Sequence, residues 1–86
     1  MPQISRFFGI IISMYFDDHN PPHFHARYGE FESLIAINDF SILEGNLPSR
    51  ALSLVIEWAS INKNLLKENW TLIQNNNAPN PIKPLQ

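Results

Sequence analysis

Residues 10–28 read Ile-Ile-Ile-Ser-Met-Tyr-Phe-Asp-Asp-His-Asn-Pro-Pro-His-Phe-His-Ala-Arg-Tyr, and this stretch decides the fold. Residues 10–16 are rich in isoleucine and aromatics, which favour strands. Strand side chains alternate, so Ile10, Ile12, Met14 and Phe16 share one face and Ile11, Ser13 and Tyr15 the other. The first set is wholly apolar and is assigned to the core. Pro21 and Pro22 exclude a helix through residues 17–22, because both lack an N–H and restrict the residue before them. Alternation resumes with His23, His25 and Arg27 on one face and Phe24, Ala26 and Tyr28 on the other. A turn at residues 20–22 makes this a hairpin in which His19 opposes His23, Asp17 opposes His25 and Tyr15 opposes Arg27. A cis bond at Pro22 would give a type VI turn. Extended prolines would break the pairing yet leave His23 and His25 on one face.

Outward from this hairpin, residues 4–8 form a strand ended by Gly9, and residues 31–37 another, with Phe31, Ser33, Ile35 and Ile37 on one side. Asn38-Asp39 is a turn signal. Residues 40–44 make a last short strand closed by Gly45-Asn46. After Pro48 the period changes: Ala51, Leu54, Val55, Trp58 and Ile61 follow helical steps. Asn62-Lys63-Asn64 weakens the helix, and Leu65, Leu66, Leu72 and Ile73 carry the pattern on. Two helices are predicted, with one continuous helix as the alternative. The fold class is therefore α+β: a small antiparallel sheet of four to five strands (residues 4–44) followed by two helices (48–73) packed on one face. Residues 1–74 make a single domain. Residues 75–86 are a Pro/Asn-rich tail, either loose or an extended arm laid on another surface. The expected core includes Ile12, Met14, Phe16, Phe24, Leu54, Val55 and Trp58.

The 86 residues suffice for one domain, and 44% hydrophobic against 16% charged residues is a globular composition. So short a chain has a small core, which makes a partner or a homo-oligomer an expectation. The absence of cysteine excludes disulfides, thiolate metal sites and cysteine nucleophiles, and fits a reducing cytoplasm. The longest apolar run, residues 7–12, is too short for a membrane span, and the first residues lack a signal-peptide layout. Net charge is −2 and the basic residues are scattered, which leaves no wide footprint for duplex DNA but allows a local anion site.

All three histidines fall in the spacing His-x3-His-x-His at 19, 23 and 25. Three readings compete. In the first, His23, His25, His19 and Asp17 bind a divalent metal; residues two apart on a strand are roughly 6.6 Å apart at Cα, and both imidazoles can lean onto one ion. In the second there is no metal: histidine moves a proton, Asp17 orients it and Arg27 holds an oxyanion or phosphate. In the third the residues only build a rigid polar corner. On either active reading the group faces water, so His23→Ala and His25→Ala should impair function and shift stability by less than about 1 kcal/mol. Trp58 and Trp70 read as core rather than stacking platforms, since each lies among leucine and isoleucine.

The segments Pro2-Gln3-Ile4-Ser5-Arg6-Phe7-Phe8-Gly9-Ile10-Ile11-Ile12, Met14-Tyr15 and Asp18-His19-Asn20-Pro21-Pro22-His23-Phe24-His25 resemble the DhiT-type toxin family, small bacterial proteins first grouped as a domain of unknown function. The likeness continues through Leu43-Glu44-Gly45, Leu47-Pro48, Arg50-Ala51-Leu52, Glu57-Trp58-Ala59 and Glu68-Asn69-Trp70. It implies the toxin component of a type II toxin–antitoxin module, neutralised by a small antitoxin from the neighbouring gene, and it brings no mechanism; the leading hypothesis is action on RNA or the translation machinery. It brings no catalytic residues. The chain departs from usual members at Asn75-Asn76-Asn77, where a more charged stretch is expected. The competing classes are a non-catalytic binding or regulatory module and a metal-dependent hydrolase using the histidines.

Overall fold

Apolar alternation and short turns build a five-stranded sheet in the computed structural model, which describes residues 3–86. Strands β1 (Gln3–Phe7), β2 (Ile10–Ser13), β3 (His23–Tyr28), β4 (Phe31–Ala36) and β5 (Ile42–Gly45) each pair antiparallel with the next, in chain order. Phe8 and Gly9, with φ of 48° and 80°, close β1 onto β2 so that Phe7 faces Ile10. Positive φ at both turn residues gives a twist that matches the flanking strands. Gly29-Glu30 closes β3 onto β4, with Tyr28 facing Phe31. β5 ends at Gly45, where φ is 76° and an added Cβ would fall on the carbonyl oxygen of Glu32, so glycine alone fits.

The expected hairpin at residues 20–22 is replaced by a different register. Ser13, not Asp17, opposes His25, and Ile11, not Tyr15, opposes Arg27. β2 stops at Ser13 and residues 14–22 form a long loop. Pro21 and Pro22 have no N–H to give a ladder, and the loop makes its own turn instead: Asp18 N–H donates to the Tyr15 carbonyl (3.1 Å) while Tyr15 N–H donates to Asp18 Oδ2 (3.1 Å). The cis bond is Asn20–Pro21, not the one before Pro22. Because the shift from Asp17 to Ser13 is an even number of residues, the faces of the residues paired between β2 and β3 survive it. Ile12 still meets Ala26 on the core side, and His25 and Arg27 still look the other way. Phe16, expected in the core, lies in the loop and is 47% exposed.

Helices α1 (Ser49–Ile61) and α2 (Lys63–Gln74) cover the core face of the sheet. Trp58 packs edge-on to Phe24 at 6.0 Å and against Phe7 at 5.4 Å. Leu54 is only half-buried and Ile61 is exposed, so the buried arc is narrower than the helical pattern predicts. The two helices are separated at Asn62, whose side-chain amide donates to the Trp58 carbonyl at 2.9 Å. Such local bonding competes with the helix ladder, which is why an asparagine-rich segment breaks it.

Residues 75–86 take the second expected form, an extended arm. Asn80 N–H donates to Asn69 Oδ1 (2.8 Å) and the Asn69 amide returns a bond to the Asn80 carbonyl (2.9 Å). Ile82 is buried, and its N–H donates to the Ile4 carbonyl on the outer edge of β1 (2.7 Å). Trp58 Nε1–H donates to the Lys83 carbonyl (2.9 Å). The arm therefore closes the core and covers part of a sheet edge. Among the described residues no helix is long and apolar enough to cross a membrane.

Candidate functional site

The long loop returns to the start of β3 at a cluster of Asp18, His23 and His25. One ligand-type atom from each lies within 4.8 Å of the others. His25 Nε2 stands 3.2 Å from both Asp18 oxygens, and His23 Nε2 stands 3.6 Å from Asp18 Oδ1. The side chains of all three are largely shielded from solvent.

Each member is held from behind. His23 Nδ1 is 2.8 Å from the Pro21 carbonyl. A carbonyl only accepts, so Nδ1 carries the proton. The ring is 6% exposed and lies against Trp70 of α2, centroids 5.4 Å apart. Its Nε2 is buried and has no hydrogen-bond partner. His25 Nδ1 is 3.3 Å from Glu32 Oε2, and the Tyr15 ring meets the imidazole edge-on at 4.5 Å. Asp18 is fixed by the Tyr15 N–H, and the Gln74 side chain of α2 donates to the Asp18 carbonyl at 3.2 Å.

Of the five residues predicted from sequence, His23 and His25 come together. Asp17 and His19 are exposed on the loop and belong to no hydrogen bond or ion pair among the described residues. Asp18 occupies the place expected of Asp17, because the Tyr15–Asp18 turn swings its side chain under the imidazoles. Arg27 is one alternation further along β3. It lines a small cavity of about 80 Å³ together with Gln3, Ile11, Ser13, Tyr15, His25 and Glu32. The water-facing expectation fails for His23, which is buried against Trp70, so His23→Ala must disturb packing as well as chemistry.

Sequence reasoning missed Asp18 and Glu32. Glu32 had a signal: a two-residue turn at Gly29-Glu30 pairs Arg27 with Glu32 and sets Glu32 diagonally across from His25 on the same face. Asp18 had none, since strand parity does not extend into an irregular loop. A larger cavity of about 200 Å³ lies at the other end of β2 and β3, lined by Phe8, Ile10, Tyr28, Pro48, Arg50, Ala51 and Leu54. It contains no acid or imidazole and is apart from this chemistry.

Fold and site together define a small α+β domain carrying two histidines and a carboxylate at the end of an antiparallel sheet. The model of the family described as Domain of unknown function (DUF4160) matches residues 9–71, most of the chain, and the chain belongs to that family. The match spans the whole site. It leaves out β1 and the arm, the two segments that bond to each other. No curated protein and no solved structure matches the chain.

Proposed function

We propose that this chain is the toxin of a two-gene toxin–antitoxin module, acting in the cytoplasm on RNA or the translation machinery, with Asp18, His23 and His25 as its working site. The toxin reading rests on the resemblance to the DhiT-type family. The site rests on one observation, the shielded convergence of two imidazoles on one carboxylate. The cavity beside His25, about 80 Å³, has room for two or three waters at about 30 Å³ each, or one phosphate-sized group. Pockets that engulf small molecules run to about 300–1,000 Å³. A second cavity of about 250 Å³ also borders His25 and Glu32, so a bound polymer or small molecule has room to extend past the 80 Å³ cavity. Arg27 lines that cavity, and a guanidinium suits phosphate oxygens. His25, between the carboxylates of Asp18 and Glu32, lines the same cavity and stands within reach of a group that enters it. A small antitoxin encoded next door neutralises the protein.

The test is expression of the chain alone and with the neighbouring gene, scoring growth and RNA integrity. Arrest by the chain alone, relief by the neighbour, and loss of arrest in His25→Ala with an unchanged melting curve are expected. Normal growth with folded wild-type protein overturns the toxin reading. Arrest that persists in both His25→Ala and Asp18→Asn overturns the site.

A further inference from the structure

One buried lone pair faces a carboxylate in this cluster, and a second joins it in one tautomer of His25. The Pro21 carbonyl fixes the proton of His23 on Nδ1, so Nε2 presents a lone pair, buried and unpartnered, toward Asp18 at 3.6 Å. If His25 gives its Nδ1 proton to Glu32, its Nε2 presents a second lone pair to the same carboxylate at 3.2 Å. In that tautomer all three groups offer lone pairs to the same space, which is the donor set a cation needs.

We propose that Asp18, His23 and His25 bind one divalent first-row transition-metal ion through the two Nε2 atoms and a carboxylate oxygen. Bonds of 2.0–2.1 Å to an ion require neighbouring ligand atoms about 3.0–3.4 Å apart. The observed 3.2 and 3.6 Å to Asp18 need a shift of a few tenths of an ångström, while the ligand atoms of the two imidazoles, within 4.8 Å of each other, must close by up to about 1.4 Å. The outer partners complete the case. Metal-bound histidine characteristically donates its other N–H to a carbonyl or carboxylate. Here Pro21 supplies a carbonyl to His23 and Glu32 a carboxylate to His25, while the Tyr15 N–H holds the oxygen of Asp18. Three protein ligands leave positions open, the count of a reactive rather than a structural site. Imidazole donors select zinc or its first-row neighbours over magnesium and calcium. Metal binding stands apart from the toxin reading; only the use of the ion at that same working site rests on it.

The experiment titrates zinc ion, and separately magnesium ion, into chelator-stripped full-length protein whose fold is checked by circular dichroism. One zinc per chain is expected, with magnesium at least about a hundredfold weaker. Asp18→Ala and His25→Ala should each weaken zinc by at least about tenfold. Glu32→Gln, which touches only the back of His25, should weaken it by about ten- to a hundredfold. His19→Ala and Asp17→Asn should bind as wild type, which separates this cluster from loose chelation by a histidine-rich loop. Cobalt ion, substituted for zinc, should give visible bands that vanish in His25→Ala. Wild-type zinc affinity no greater than that of the Asp18→Ala/His25→Ala double variant overturns the proposal, as does binding lost with His19. Growth arrest by a protein that binds no zinc overturns the metal and leaves the toxin reading standing; zinc binding without arrest does the reverse.

Discussion

Residues 14–22 and residues 75–86 both carry prolines and both lie outside the strands and helices, yet the protein uses them for opposite purposes. The loop gathers polar groups: Asp18 under two imidazoles, the Pro21 carbonyl behind His23. The arm supplies apolar cover and backbone partners: Ile82 in the core, the Ile82 N–H for Ile4, the Lys83 carbonyl for Trp58. What separates them is where their ends are pinned. The loop spans two paired strands and must place its side chains within their reach. The arm leaves the end of α2 and runs along whatever is still open, which is the outer edge of β1.

The largest expected effect tests the arm. A chain ending at Gln74 removes the partners of Trp58 Nε1 and the Ile4 carbonyl, each bond worth about 0.5–1.5 kcal/mol net, and empties the place of Ile82. Against a total stability of about 5–15 kcal/mol for a small domain, loss of the cooperative thermal transition is expected. Melting within a few degrees of the full chain would dissolve the contrast. Ile82→Ala is the graded version: it should cost about 2–4 kcal/mol in urea denaturation.

On the loop side the effects fall steeply. His23→Ala should destabilise by about 1–3 kcal/mol, because the ring fills space against Trp70 and bonds Pro21. Asp18→Asn and His25→Ala should change stability by less than about 1 kcal/mol while removing function. If either unfolds the protein, the loop is structural like the arm. The smallest effect belongs to Asp39, in the β4–β5 turn, whose carboxyl is held below its ordinary 3.8 by the Ser41 N–H. A lowered folded-state pKa stabilises above the unfolded value and is lost as pH falls through the folded one. Asp39→Ala should slightly reduce the loss of melting temperature between about pH 5 and about pH 2.

The strands, their faces and the two helices were legible because periodicity reports which side of an element is buried, and it did so at Ile12, Phe24, Ala26 and Trp58. Register was not legible, since a slip of an even number of residues leaves the pattern of faces unchanged. Half the site followed from parity, His23 and His25; Glu32 needed the Gly29-Glu30 turn to be carried across to β4. Asp18 depended on a local turn between Tyr15 and Asp18 that no alternation encodes. Ile82 stood as one apolar residue between Pro81 and Pro84, and Leu85, three residues on, lies beyond a proline that a helix would not run through, so no periodic element marked either as core.

Synthesis runs from the N-terminus, so the arm leaves the ribosome after every element it seals. Until residues 78–86 have emerged, Trp58 lacks its Lys83 partner and the edge of β1 lacks Ile82. The nascent domain stays unsealed until those residues are free. A polypeptide that pairs with the β1 edge must therefore arrive before the arm or displace it.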